Sequence, residues 1–237
     1  LEQFESLKPD AAILFAYGKI IPPEWLNIPI FGFINIHASL LPRWRGAAPV
    51  QRAIENNDKI SGITIMKMNE RLDEGPIIAS HEISLMPDTT GKSLTEKISQ
   101  DSCSLLFNNL DKYLRGQIEI VEQNHDLSSY ANKINKQEAQ INWHLSAKVL
   151  EQKIRAFYPY PATWFIHKGI RYKILKAKVN SLKANPGEII KSPLIVGCGQ
   201  NSLEILEIQA EGKNSQSIDK FLLGNQSFTV NEIIENK

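Results

Sequence analysis

The sequence predicts an α/β domain with a largely parallel sheet, followed by a smaller all-β domain. Two apolar runs, Ala11–Tyr17 and Gly32–His37, are continuous, which is typical of strands buried in a parallel sheet. Strand and helix patterns then alternate up to a long amphipathic helix predicted over Thr90–Arg115. Beyond residue 160 the chain changes to short strands separated by Gly, Pro and Asn turns, which indicates a small barrel or sandwich.

Between these landmarks, the first domain supplies further elements in order. Pro22–Leu26 predicts a helical turn opened by proline, and Ala47–Asn56 has helical spacing. Ser61–Met68 and Pro76–Leu85 predict two more strands. The polar stretch Gly116–Tyr130 lacks a strong period, so we expect a linker there.

The second half predicts one helix and then several strands. Ser146 is a plausible N-cap for a helix over 146–156. The predicted strands are Thr163–His167, Arg171–Val179, Gly187–Ile190, Leu194–Val196 and Leu203–Gln209. The predicted organisation is therefore a catalytic domain over 1–116, a linker over 117–134 and a second domain over 135–237.

Charge is distributed unevenly along a chain whose formal net charge is only +1. Residues 131–180 carry 10 Lys and Arg against 2 Asp and Glu, a net of +8. Residues 1–130 carry 12 against 17, and residues 181–237 carry 5 against 7. Such a basic block indicates a surface for an anionic partner. The alternative is a solvated basic face without a ligand.

The cysteines and histidines predict no metal site. Cys103 and Cys198 lie far apart and match no metal-ligand spacing, and the scattered histidines match none either. The sequence contains neither a signal peptide nor an apolar run of membrane length. We therefore expect a cytoplasmic protein with no membrane partner.

Asn35 and His37 are the first candidates for catalysis. They lie two residues apart on a predicted strand, so they point to the same face, at the strand end where α/β sheets bind ligands. An amide there can donate to a carbonyl oxygen on which negative charge develops, and an imidazole can move a proton near neutral pH. The alternative is a buried pair that satisfies loop backbone groups.

Asp73 follows the next strand, in a turn that can return to the same sheet edge. A carboxylate there could orient His37 and stabilise its charged form. An ordinary turn residue before Gly75 is the alternative, and the sequence does not separate the two.

The segment after His37 is the third candidate. Ser39–Pro42 is followed by Arg43, Trp44, Arg45 and Gly46, and such a proline-fixed loop could clamp a flat heterocycle or an anionic tail. A rigid turn with solvated arginines is the alternative. The sequence has no GxGxxG, no phosphate-loop lysine motif and no GxSxG elbow, so dinucleotide and serine-hydrolase chemistry have no support.

These motifs together resemble the folate-dependent formyltransferases. The resemblance rests on the Asn-x-His pair, on SLLPRWRGAAPVQRAI, and on GITIMKMNERLDEG, which ends just after Asp73. It continues in the second half, in YANKINKQEAQINW and in PYPATW, and so covers nearly the whole chain.

The resemblance implies a Rossmann-like formyltransferase domain joined to a C-terminal OB-like β-barrel that helps hold tRNA. It implies 10-formyltetrahydrofolate as the formyl donor and the α-amine of methionine on initiator tRNA as the acceptor. Asn35, His37 and Asp73 match the catalytic positions of the family. The implied folate contacts are Ser39, Leu40, Leu41 and Pro42, with main chain near Ile20 and Ile21. The basic residues expected to contact tRNA are Arg43, Arg45, Lys133, Lys136, Arg155, Arg171 and Lys173.

The resemblance also implies a portion that this sequence lacks. Family members open with a further strand–helix–strand portion, so we expect an N-terminally truncated chain, a parallel sheet with an exposed edge, and a monomer. Two other functions stay open at this point. One is formyl transfer to a small amine, such as an amino sugar nucleotide or a purine precursor. The other is an RNA-binding fragment without catalysis.

Overall fold

The computed structural model describes residues 1–191, 193–225 and 227–235. The chain divides into two compact units, each described by itself. The first comprises residues 1–53, 58–87 and 93–133. The second comprises residues 54–57, 88–92 and the chain from Ile134 onward.

The elements up to residue 131 follow the predicted alternation of strands and helices. In order they are α1 (Glu2–Ser6), β1 (Ala12–Phe15), α2 (Pro23–Leu26), β2 (Phe33–His37), β3 (Arg45–Gly46), α3 (Pro49–Glu55), β4 (Ile60–Lys67), β5 (Ile77–Ser84), α4 (Gly91–Leu114), a 3₁₀ turn (His125–Leu127) and β6 (Tyr130–Ala131). The α/β class predicted from the sequence is confirmed.

The main sheet of the first unit has the order β1-β2-β4-β5. Its pairing is mixed: β1 and β2 are parallel, whereas β2–β4 and β4–β5 are antiparallel. The expectation of a largely parallel sheet therefore holds for one pairing of three. Nine residues join β4 to β5, too few for the crossover helix that a parallel pair requires.

Strand β1 lies at the edge of this sheet rather than inside it. Ile13 is 44% exposed and Phe15 47%, while Ala12 and Leu14 are half-buried. The prediction of a strand buried inside a parallel sheet was wrong for β1, because in the described chain β1 has a sheet neighbour on one side only, which is β2. The apolar character of the run reflects a sheet position but does not reveal an edge.

The segment over residues 117–133 is ordered against the first unit. Val121 and Ile77 exchange backbone hydrogen bonds of 2.8 and 2.9 Å, and β6 pairs in parallel with β3. Gln123 is only 5% exposed. The domain boundaries at 116 and 134 stay a prediction. Much of the predicted linker nevertheless forms ordered contacts with the first unit.

The second unit packs helices on an antiparallel sheet. Its elements are α5 (Ala147–Phe157), β7 (Thr163–His167), β8 (Ile170–Asn180), β9 (Ile189–Lys191), β10 (Ile195–Gly197), β11 (Ser202–Ala210), β12 (Gln216–Ser217) and α6 (Ile218–Leu223). As predicted, Ser146 caps α5, since its hydroxyl accepts from the nitrogen of Val149 at 3.3 Å. The core includes Trp143, Leu150 and Phe165.

The strands of this sheet run in the order β7-β8-β11-β10-β9, and β12 pairs with β11. Over the described residues this ladder is open, so no closed barrel is assigned. Irregular segments cover its two edges: Ile141 donates to the carbonyl of Trp164 on β7, and Ile189 on β9 donates to the carbonyl of Glu232. Covered edges satisfy the outer backbone groups without barrel closure.

Candidate active site

Asn35 and His37 lie on the last three residues of β2 and share one of its faces. They stand opposite Met66 and Thr64 of β4 in the antiparallel register. Asn35 is half-buried, whereas His37 is only 6% exposed. The predicted strand end therefore presents an amide and an imidazole side by side.

Asp73 lies in the loop between β4 and β5 and reaches both of these side chains. Its Oδ1 accepts from Nδ2 of Asn35 at 3.4 Å, and its Oδ2 lies 3.6 Å from Nδ1 of His37. Oδ2 also accepts from the backbone nitrogen of Gly46 at 2.8 Å. These partners lie on other elements, so the carboxylate makes long-range contacts beyond the local role of a turn residue.

His37 has an acceptor at each ring nitrogen. Its Nε2 lies 2.8 Å from the carbonyl oxygen of Trp44, a contact in which the ring must donate. Its Nδ1 faces the carboxylate of Asp73 across 3.6 Å. A charged imidazolium can donate toward both oxygens, and a neutral ring with its proton on Nε2 can accept a proton at Nδ1. The arrangement suits a proton-handling histidine.

Two glycines near this carboxylate allow backbone segments to pass close to each other. Gly46 has φ +111°, and a Cβ there would lie 2.9 Å from the carbonyl oxygen of Ala131. A Cβ on Gly75 would clash with the carbonyl oxygen of Lys67. Any larger residue at either position would therefore displace backbone.

The loop Ser39–Pro42 is held from beneath by Thr64, a residue that sequence reasoning missed. The hydroxyl of Thr64 accepts from the nitrogen of Leu41 at 3.0 Å and donates to the carbonyl of Ser39 at 2.7 Å. Leu40 packs against Gly62, where an added Cβ would come within 2.6 Å of its Cδ2. The available signal was a hydroxyl residue within a mostly apolar strand, although β4 also carries Ser61.

The two arginines after this loop, Arg43 and Arg45, were both expected to contact nucleic acid, but their surroundings in the structure differ. Arg45 is 1% exposed and so offers almost no surface to a phosphate, and its contact with nucleic acid stays a prediction. Its guanidinium is instead paired with Glu74 at 3.2 Å and with the amide oxygen of Gln123. Arg43 is exposed, but it makes a two-pronged contact with Asp58 at 2.6 and 2.9 Å. A compensated charge attracts phosphate weakly.

The basic block separates into paired and unpaired cations. Arg155 is 16% exposed and donates hydrogen bonds to Glu151 at 2.6 Å and to the carbonyl of Thr89 at 2.8 Å. Its guanidinium is therefore engaged in contacts within the protein. By contrast, Arg171 is exposed and stacks on the Trp164 ring at 4.4 Å.

The other predicted contacts lie at accessible positions. Lys173 is half-buried and stands directly opposite Trp164 in the β7–β8 register. Lys133 and Lys136 are exposed. Arg171 and Lys173 share one face of β8, which is the face opposite the buried side chains of Tyr172 and Ile174.

Some expected features stay untested by the geometry. Ile20 is 91% exposed and Ile21 half-buried, and their proposed folate contacts remain a prediction. Within the described ranges, no group of three or more His, Cys, Asp or Glu could hold a metal ion. None of the helices in those ranges combines the length and apolar character that crossing a membrane requires.

Comparison with known proteins agrees with this arrangement. Residues 1–110 match the family Formyl transferase, and residues 133–226 match Formyl transferase, C-terminal domain. Methionyl-tRNA formyltransferase from Pelagibacter ubique is 42% identical over 229 residues, which cover 95% of this chain and 74% of that protein. The enzyme of the same name from Thermodesulfovibrio yellowstonii is 42% identical, with coverage of 94% and 73%.

Among solved structures, HypX from Aquifex aeolicus in complex with tetrahydrofolic acid aligns with a TM-score of 0.72. It is 19% identical and the alignment covers 93% of this chain and 40% of that chain, so this likeness supports the fold alone.

An amide, an imidazole and a carboxylate that meet at the end of a strand in an α/β sheet can stabilise a developing oxyanion and move a proton, as a group-transfer enzyme requires. The sequence relatives narrow this class to one family. The chain belongs to the formyltransferase family.

Proposed function

We propose that this protein transfers a formyl group from 10-formyltetrahydrofolate to the α-amine of methionyl initiator tRNA, the step that prepares this tRNA for translation initiation. Relatives at 37–42% identity that bear the name methionyl-tRNA formyltransferase support the reaction. The observation that carries the chemistry is the convergence of Asn35, His37 and Asp73, whose facing atoms lie 3.4 and 3.6 Å apart.

In the proposed reaction the methionyl nitrogen bonds to the formyl carbon, and the bond from that carbon to N10 of the folate breaks. The amine loses one proton and N10 gains one, so the exchange balances. Asn35 and protonated His37 stabilise the oxyanion of the tetrahedral intermediate. Asp73 holds His37 and assists the movement of the proton. The 3.4 Å contact between Asn35 and Asp73 is long, so the amide can turn to the substrate at little cost.

The folate subsite proposed is the loop Ser39–Pro42 beside this trio. Ser39 and Leu41 are buried, and their backbone groups are fixed by Thr64. A loop whose conformation is fixed before binding loses less entropy when a heterocycle packs on it. Main chain near Ile20 and Ile21 is proposed to complete the subsite.

For tRNA, we propose phosphate contacts from Lys133, Lys136, Arg171 and Lys173. Two observations favour these four over the arginines near the catalytic trio. Arg171 is exposed and pre-oriented by Trp164, and the block around it has a net charge of +8. Phosphate contacts of this kind position a nucleic acid without reading its sequence.

The proposed reaction places the protein with translation in the cytoplasm, and we propose that it acts as a monomer. Size-exclusion chromatography with light scattering would test the monomer. A mass near 26.8 kDa is expected, and twice that value would contradict it.

The decisive experiment compares three acceptors under one donor. Purified protein is given 10-formyltetrahydrofolate with methionyl initiator tRNA, with free methionine, or with a dTDP-amino sugar, and formylated product is measured. We expect formylated product only when methionyl initiator tRNA is the acceptor. Product with the amino sugar would favour a small-amine enzyme. Tight tRNA binding without product from any acceptor would favour an RNA-binding fragment.

A further inference from the structure

We infer that Gln123 and Arg45 position the carboxylate of Asp73 for the reaction, an inference that rests on the proposed function. Neither residue touches the proposed reacting atoms. Both are almost completely buried, at 5% and 1% exposure. A buried arginine and a buried glutamine are costly to keep unless each polar atom has a partner, and here their partners lead to the Asp73 loop.

The side-chain amide of Gln123 holds both ends of that loop segment. Its Nε2 donates to the carbonyl of Asp73 at 2.9 Å and to the carbonyl of Gly75 at 2.8 Å. One amide group thus spans residues 73 to 75 and fixes the direction in which the Asp73 side chain leaves the backbone.

The orientation of Gln123 is in turn set by Arg45. The amide oxygen of Gln123 accepts from Nε of Arg45 at 3.1 Å and from Nη2 at 2.7 Å. This fork contact leaves the amide nitrogen facing the two loop carbonyls, because the oxygen is already engaged. Nη1 of Arg45 lies 3.2 Å from Glu74, within the same loop.

Asp73 needs such support because its backbone is strained. Its φ is +51°, the left-handed region that residues other than glycine occupy rarely. Aspartate tolerates this region better than most, but the surrounding structure must hold it there. The backbone of the residue next to Arg45, Gly46, donates at 2.8 Å to Oδ2 of Asp73, so one short strand anchors both the loop and the carboxylate.

The test is a double-mutant cycle between Gln123→Met and Asp73→Asn, measured as single-turnover formylation of methionyl-tRNA per folded protein. Methionine has nearly the volume of glutamine but cannot donate. If Gln123 acts through the carboxylate, Gln123→Met should lower the rate at least about tenfold in the wild-type background and less than about twofold in the Asp73→Asn background. KM for both substrates should change less than about twofold.

Three companion variants sharpen the cycle. Gln123→Glu keeps the oxygen toward Arg45 but places a second oxygen against the carbonyls of Asp73 and Gly75, so its rate should fall at least as far as that of Gln123→Met. Arg45→Lys keeps the charge beside Glu74 but loses the fork, and its rate should fall with KM unchanged. Gln117→Met, an exposed glutamine of the same segment, is the matched control and should be unaffected.

A second readout needs no activity. The amide proton of Gly46 donates to Asp73, so its NMR resonance reports where the carboxylate is. It should move upfield in Gln123→Met and Gln123→Glu but not in Gln117→Met. This measurement also decides the inference if wild-type protein formylates no acceptor, a result that would refute the proposed function by itself.

Two results would overturn the positioning role. One is an equal fold-loss from Gln123→Met in both backgrounds, since a purely structural residue lowers the rate whether or not the carboxylate is present. The other is an unchanged Gly46 resonance in the Gln123 variants.

Discussion

Oδ2 of Asp73 accepts a 2.8 Å hydrogen bond from the backbone nitrogen of Gly46 while it faces Nδ1 of His37 at 3.6 Å. The carboxylate is therefore fixed by main chain on one side and left to interact with a titratable ring on the other. A group held by backbone keeps its position when a substrate enters, so only the ring and Asn35 need to adjust during the reaction.

Removal of the imidazole should affect chemistry more than binding. His37→Ala is expected to lower the single-turnover rate about 10²-fold or more, as expected when acid–base assistance is lost. Folate affinity should change little. His81→Ala, in which the histidine lies on β5 beside Asp101, is the matched control. A near-normal rate in His37→Ala would rule out its catalytic role.

The hydroxyl beneath the loop Ser39–Pro42 should matter for folate binding. Thr64 is fully buried, and Thr64→Val keeps its shape but leaves the nitrogen of Leu41 and the carbonyl of Ser39 without partners. We expect a loss of about 1–3 kcal/mol in the free energy of unfolding, measured by urea denaturation.

Folate affinity of the same variant provides the functional readout. If Thr64→Val destabilises the folate-bound loop by about 1.4 kcal/mol more than the free loop, Kd for a folate analogue rises about tenfold. Thr64→Ser restores the hydroxyl and should recover most of the affinity. Unchanged affinity in a destabilised Thr64→Val protein would place the folate elsewhere.

An ion pair in the second unit predicts a pH dependence of stability. The Lys168 ammonium, which donates to Glu232 at 2.8 Å, lowers the pKa of that carboxyl from 4.5 to about 2. Because the pKa is lower in the folded state, the ionised carboxylate stabilises the protein at pH values above the pKa of the unfolded state. This stabilisation is lost as the pH falls toward 2.

Urea midpoints of wild type and Glu232→Gln should therefore differ most above about pH 5 and converge toward pH 2. Glu211→Gln, an exposed carboxylate of the same unit, serves as the control. A difference between wild type and Glu232→Gln that is independent of pH would contradict the prediction.

The tRNA surface can be tested within one strand. Arg171→Gln should weaken binding of all tRNAs alike and reduce the slope of log K against log salt by about one unit. Lys178→Gln is the control, because Nζ of Lys178 already lies 2.9 Å from Glu204 and helps lower the pKa of that carboxyl. Binding measured at several salt concentrations checks both. Equal slopes for Arg171→Gln and wild type would remove Arg171 from the interface.

The sequence predicted those parts of the molecule that depend on local patterns. The strand and helix alternation, the Ser146 cap and the shared face of Asn35 and His37 all follow from periodicity and capping. The antiparallel pairing in the first sheet could not be predicted in this way, because apolar runs do not reveal strand direction.

The burial of polar side chains was the second feature that could not be predicted from the sequence. Arg43 and Arg45 lie two residues apart in one motif, yet Arg43 is exposed and Arg45 buried. Gln123, which makes Arg45 tolerable in the interior, lies 78 residues away in a stretch whose polarity predicted a linker. Long-range pairing of this kind leaves no periodic signal in one sequence.

The pairing of β3 with β6 determines where the chain can be dissected. A fragment that stops at the end of α4 would lose Gln123 and the backbone partner of Arg45 and Gly46. The shortest fragment that retains the intact carboxylate environment therefore extends through Ala131. By the same reasoning, proteolytic nicking between Gly116 and Tyr130 should inactivate the protein, even if every proposed catalytic side chain stays on one piece.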